Sequence, residues 1–265
     1  MYDFSYHRAA SVAEAASKLK AADDGKFVAG GMTLIPTLKQ RLAQPSDLID
    51  LSGIKDLVGI KVDGNGVTVG AMTTHGAVAG SKDVTSAIPA LAHLAGEIGD
   101  PAVRHRGTIG GSIANNDPAA DYPGACLGLG ATIVTAQREI TADDFFKGLF
   151  ETALEETEVI TAVRFPKPKR AAYMKFPNPA SRYALVGVFV AETATGIRVA
   201  VTGAGQDGVF RVKAMEDALA KSFNADAVAG IALPPDNLNS DIHASAEYRA
   251  HLITVMAKRA VAAAK

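Results

Sequence analysis

Two glycine pairs constrain this chain more than any other feature. Ala29-Gly30-Gly31-Met32-Thr33 and Thr108-Ile109-Gly110-Gly111-Ser112 lie roughly 80 residues apart, each where a strand-like segment ends and each followed by a hydroxyl. Glycine has no Cβ, so its backbone approaches a ligand closely and tolerates positive φ, and successive N–H groups can converge on an anion. A helix opening near Met32 would add its own N-terminal donors. Either pair alone reads as an ordinary strand-terminating turn. The two together predict a cradle for the two phosphates of one pyrophosphate. A third glycine run, Gly203-Ala204-Gly205-Gln206-Asp207-Gly208, fits G-x-G-x-x-G formally. Only 265 − 208 = 57 residues follow it, too few for a doubly wound nucleotide domain, and Asp207 has the wrong charge for a phosphate. It is read as a tight strand-to-helix connection.

The sequence has 265 residues, which at roughly 150 per domain predicts about two domains. Lys and Arg total 27 and Asp and Glu 28, so the net charge of −1 argues against nucleic-acid binding. A single cysteine, Cys126, excludes an internal disulfide and an iron–sulfur cluster held by this chain alone. Its Gly/Leu surroundings suit a buried, inert thiol. The N-terminal stretch lacks a secretory pattern, and no apolar run approaches 18 residues, so a cytoplasmic protein without direct membrane insertion is expected.

Periodicity predicts a mixed α+β order. Ser11 and Glu14 form an S-x-x-E capping box ahead of Val12, Ala15, Ala16 and Leu19. A strand at Lys26–Ala29, a helix from Met32–Pro36 carrying Leu34, Leu38 and Leu42 on one face, and a strand from Asp47 to Leu51 make a βαβ-like unit. Val58–Val62 and Val67–Ala71 flank Asp63-Gly64-Asn65-Gly66, a hairpin turn. A helix at Ile88–Ile98 and a strand at Ala131–Ala136 follow. Arg164 to Lys175, with five basic residues and two prolines, reads as a connection between domains in preference to a basic phosphate-binding tract. Strands at Tyr183–Ala191 and Ile197–Thr202, then helices at Ala214–Ser222 and from Ser245 onward, complete the chain. The six histidines form no H-x-x-x-H or H-E-x-x-H pattern, so a catalytic metal is not expected. Arg104-His105-Arg106 precede the second glycine pair and read equally as a phosphate-attracting patch or a solvated turn.

AGGMTLIP (Ala29–Pro36), GAMTTH (Gly70–His75), TIGGSIANNDPAADYP (Thr108–Pro123) and SAEYRAHLITVMAKRAV (Ser245–Val261) together resemble the FAD-binding medium subunit of molybdenum hydroxylases, most nearly the aerobic carbon monoxide dehydrogenase type. The resemblance spans nearly the whole chain. It implies a two-subdomain FAD-binding fold of the vanillyl-alcohol oxidase-like (PCMH) type at 1–170, with subdomains at about 1–55 and 56–170, and a small C-terminal α+β domain at 171–265. It implies that Ala29, Gly30, Gly31, Met32, Thr33 and Leu34, with Thr108, Ile109, Gly110, Gly111 and Ser112, wrap the FAD pyrophosphate. Asp121 is implied on the adenosine side, and Glu158-Val159-Ile160 against the flavin ring. Lys175 is implied near the isoalloxazine as a cation for reduced flavin, and Tyr183 beside the flavin face. Two departures stand out: Met32-Thr33 where a polar residue and Ser are usual, and Phe176–Arg182 in place of an Arg-bearing stretch with an acid before the aromatic.

The function so implied is electron transfer through FAD, with no catalytic acid or base in this chain. Its partners would be a small [2Fe–2S] subunit and a large molybdenum-cofactor subunit, assembled as a dimer of heterotrimers. The alternatives are the medium subunit of an aldehyde, xanthine or N-heterocycle dehydrogenase, a self-contained flavoprotein oxidoreductase, or a non-catalytic nucleotide-binding assembly module.

Overall fold

The computed structural model describes residues 1–265. The first strand, Ser5–Arg8, and Gly25–Val28 both pair in parallel with Asp47–Asp50, which lies between them. Parallel neighbours need crossover connections, and the helices Val12–Ala21 and Leu34–Lys39 supply them, so the βαβ reading holds. The Ser11 hydroxyl caps the Glu14 N–H as the capping box predicts. The Glu14 carboxylate, however, reaches one residue further back, to the Ala10 N–H. The second helix is shorter than its leucine spacing suggests. It ends at Lys39, Arg41 turns into the left-handed region (φ 59°), and Leu42 is left 73 % exposed while Leu38 is buried.

A second sheet is antiparallel, in the order Ile60–Val62, Gly66–Gly70, Ile160–Pro166, Thr132–Thr135, Glu139–Thr141. The expected hairpin at Asp63–Gly66 is its first pair, with the Asp63 carboxylate accepting the Asn65 and Gly66 N–H groups. Between the second and fourth of these strands in sequence runs a set of helices, among them Pro89–Gly96, Pro101–Arg106, Ile109–Asn115 and Tyr122–Leu129.

The third sheet is also antiparallel: Arg170–Pro177, Ala184–Thr193, Gly196–Thr202 and Phe210–Arg211. The basic tract at Arg164–Lys175 is therefore not a connection. Most of it is strand, in two different sheets, and only Lys167–Lys169 lies between them. Likewise the G-x-G-x-x-G run joins two strands of this sheet rather than a strand to a helix. The Ala246–Ala263 helix covers one face of the sheet and packs Leu252, Ile253, Met256 and Ala260 against Val186, Val188 and Val201. Tyr122–Leu129 covers the other face, and all eight of its residues are buried. Tyr173, Phe189, Ala191 and Ala200 of the third sheet consequently share one apolar core with Leu91, Ile113 and Val163 from earlier in the chain.

Candidate functional site

The first glycine pair leaves the Gly25–Val28 strand and leads into the Leu34–Lys39 helix. Gly31 adopts φ +72°, and a side chain on Gly30 would collide with the Arg106 carbonyl. The N–H groups of Gly30, Gly31, Met32 and Thr33 find no acceptor in the chain, and the Thr33 hydroxyl caps nothing. This turn thus offers four consecutive free donors and a hydroxyl.

The second pair differs from expectation. Gly110 and Gly111 do not end a strand; they form the first turn of the Ile109–Asn115 helix, which Thr108 caps through its hydroxyl to the Gly111 N–H (3.2 Å). The Ile109 N–H donates to Thr73, that of Gly110 to Ala71 and that of Ser112 to Thr108. These amides are committed, so the second turn contributes close backbone approach rather than a nest of free donors. Its position is as predicted, because it touches the first turn: a Cβ on Gly111 would stand 3.4 Å from the Ala29 methyl.

Both turns face one cavity of about 690 Å³, within the roughly 300–1,000 Å³ typical of small-molecule and cofactor sites. One wall is Ala29 to Leu34 and another Thr108, Gly110, Gly111 and Ser112; Asp121, Glu158, Val159, Ile160 and Tyr183 also line it. Ile109 does not line it, being fully buried in the core.

Lys175 does not line the cavity either. Tyr173 and Lys175, two apart on one strand and so on one face, both reach Asp121. Tyr173 Oη donates to Asp121 Oδ1 at 2.5 Å, and Lys175 Nζ to Oδ2 at 3.0 Å and to the Glu97 carbonyl at 2.9 Å. The Lys175 side chain is 2 % exposed. Its charge therefore serves Asp121, whose carboxyl burial pushes up and Lys175 pulls back down. The resemblance implies Lys175 as a cation near the isoalloxazine; in the structure it stands behind the cavity wall with its charge paired to Asp121. Tyr183 stands at the rim, 46 % exposed, its hydroxyl pKa raised chiefly by burial and then by Asp117 and Asp121.

Glu158 is clamped from outside the cavity by the Arg138 guanidinium (3.0 and 2.9 Å), the Thr135 hydroxyl (2.7 Å) and the Glu155 N–H (3.0 Å). The Arg138 bonds lead in holding its pKa at about 2. Because that lies below the unfolded value of about 4.3, the stabilisation is complete above pH 5 and is lost as pH falls through 4 toward 2. Urea unfolding at pH 6 and pH 3 should therefore show a steeper acid loss in the wild type than in Glu158→Gln, by roughly 2 kcal/mol.

His75 is a lining residue that sequence reasoning passed over, although it closes the GAMTTH segment. Its N–H donates to the Gly107 carbonyl, and Thr74 bridges Thr108, so this segment braces the second turn. Burial, with Arg104 alongside, lowers its pKa to about 4, so the ring is neutral at pH 7. His75 Nδ1 and the hydroxyl of Tyr122, whose ring centroid lies 5.3 Å away, are both buried without partners. Cys126 is buried and its thiol is pushed up by burial, an inert group as expected.

Residues 2–168 match the family model described as FAD binding domain in molybdopterin dehydrogenase. The chain is 36% identical to the carbon monoxide dehydrogenase medium chain of Hydrogenophaga pseudoflava, over 98% of this chain and 96% of that one. It is 35% identical to the nicotine 6-hydroxylase medium subunit of Paenarthrobacter nicotinovorans, over 97% and 95%. Its fold superposes on a chain of the reconstituted CO dehydrogenase from Oligotropha carboxidovorans with a TM-score of 0.90 and 34% identity, covering 98% and 97%. Glycine turns in contact across one large cavity, on this topology and with this likeness along the full length, place the chain in the family of FAD-binding medium subunits of molybdenum hydroxylases.

Proposed function

We propose that the cavity between the two glycine turns is the FAD seat, and that the chain serves as the medium subunit of a molybdenum hydroxylase most like aerobic carbon monoxide dehydrogenase. The observation that carries this reading is the row of free N–H groups from Gly30 to Thr33, opening onto a cavity walled opposite by Gly110 and Gly111. Unpaired donors at a concave surface suit an anion, and a diphosphate provides one of matching kind. Bound there, FAD supplies the capacity to take electrons from a [2Fe–2S] donor and release them, singly or in pairs, to an external acceptor. The chain's own residues bind and orient. The Gly30–Thr33 amides and the Thr33 and Ser112 hydroxyls receive the diphosphate, Val159 and Ile160 offer apolar surface to a ring, and Tyr183 stands at the rim. Clamped Glu158 and Asp121 keep the walls from shifting.

The proposed partners are a small [2Fe–2S] subunit and a large molybdenum-cofactor subunit, in a dimer of heterotrimers in the cytoplasm. No helix of the chain is long and apolar enough to cross a membrane. The FAD-binding unit is proposed to span 1–170 and the C-terminal unit 171–265. Relatives that act on carbon monoxide and on nicotine are about equally similar to this chain, consistent with a substrate chosen by the large subunit. Purified protein titrated with FAD should quench flavin fluorescence at a one-to-one ratio and acquire the visible bands of bound oxidised flavin. Co-purification with iron- and molybdenum-containing chains should follow from expression with its neighbours. A colourless protein that leaves added FAD fluorescence unchanged defeats the reading.

A further inference from the structure

We propose that Arg182 sets the positive charge at the rim of the cavity and raises the reduction potential of the FAD bound there. The proposal rests on the cavity being the FAD seat. Six acidic or basic side chains line that cavity, and five are already engaged. Asp121 holds Lys175, Glu158 holds Arg138, Asp100 caps the Val103 N–H, Asp117 accepts the Ala119 N–H, and Lys26 lies 3.4 Å from Asp24. Among the salt bridges and side-chain hydrogen bonds of the molecule, none involves the Arg182 guanidinium. It is the one cation lining the cavity that makes no ion pair or side-chain hydrogen bond.

Its backbone is held for this placement. Arg182 sits at φ +63°, a region that non-glycine residues seldom enter. The buried Asn178 keeps it there: the Asn178 side-chain oxygen accepts the Ala180 and Ser181 N–H groups, its carbonyl accepts the Arg182 N–H, and its own N–H donates to the Tyr183 carbonyl. The loop is thus closed on itself, with Arg182 and Tyr183 both on the cavity rim.

Uptake of two electrons and one proton by FAD adds one negative charge to it. In a mediated titration dithionite supplies the electrons and solvent the proton. A fixed cation stabilises the more negative reduced form more than the oxidised one, which raises the potential. Lys175, neutralised by Asp121, contributes little net field of this kind, and Arg182 is the lining cation whose charge no partner offsets, set against the carboxylates of Asp100 and Asp117.

The test is mediated spectroelectrochemistry on the FAD-loaded protein at low and high salt, with Arg182→Lys, Arg182→Gly and Arg182→Glu. Arg182→Gly removes the charge while accepting the left-handed backbone readily. The midpoint potential should be unchanged in Arg182→Lys, lower in Arg182→Gly and lowest in Arg182→Glu, and the spread should shrink in high salt. A purely structural loop residue would not order the potentials by charge. Equal potentials in all four FAD-loaded proteins overturn this proposal alone. A wild type that takes up no FAD overturns the cavity assignment and this proposal with it.

Discussion

Gly30→Ala should weaken FAD binding by about 100-fold or more, whereas Gly64→Ala should leave it unchanged. A methyl on Gly30 meets the Arg106 carbonyl, part of the backbone that leads into the second turn, and neither side is a flexible side-chain end that can swing away. Relief requires the two turns to separate, which pulls the free Gly30–Thr33 amides away from the opposite wall. Lost alignment of even two charge-assisted hydrogen bonds amounts to roughly 3 kcal/mol or more, hence the hundredfold figure. Gly64 is the matched control, because a Cβ there meets nothing within 4 Å. Equilibrium dialysis or flavin fluorescence titration of the two variants decides the matter. Equal affinities would mean that contact between the turns is irrelevant to the ligand.

Lys175→Met should be the most destabilising conservative-volume substitution near the site. It leaves the Asp121 carboxylate buried with only the Tyr173 hydroxyl, and orphaning one member of a buried ion pair costs about 3–5 kcal/mol. For a chain of this size that corresponds to a fall in melting temperature of roughly 10 °C. Asp121→Asn combined with Lys175→Met removes both charges and keeps an acceptor for Tyr173, so it should recover much of the loss. Calorimetry of the FAD-free proteins measures both. Were Lys175 instead a free cation facing the flavin, its loss would spare the melting temperature and move the potential, the opposite of what is expected here.

Much of the architecture was legible because it rests on local rules. The βαβ opening followed from strand–glycine–helix–strand order, and the first hairpin from its Asp-Gly-Asn-Gly turn. Thirteen of the fifteen expected site residues line the cavity, since the same glycines that mark a turn also permit close approach. What failed depended on partners distant in sequence. Spacing places Tyr173 and Lys175 on one face but says nothing of Asp121, more than fifty residues earlier, waiting on that side. The second turn looked like a nest of free amides because its acceptors, Ala71 and Thr73, come from another segment. Leu42 continued a helical pattern that Arg41 had already broken, and backbone geometry at a single arginine carries no compositional mark. The basic stretch at Arg164–Lys175 misled for a simpler reason: strands carry charge too, Arg164 at an exposed position and Lys175 with its side chain buried beside its carboxylate partner.

The helix Tyr122–Leu129 is wedged between sheets on either side and has no solvent-facing stripe. Asp121 leads directly into it, so the floor of the cavity is continuous with the most enclosed segment of the molecule. Prising the third sheet from the second would strip that helix bare, at a penalty comparable to unfolding, so on this side the cavity rests on a part of the molecule that cannot part without the whole core giving way.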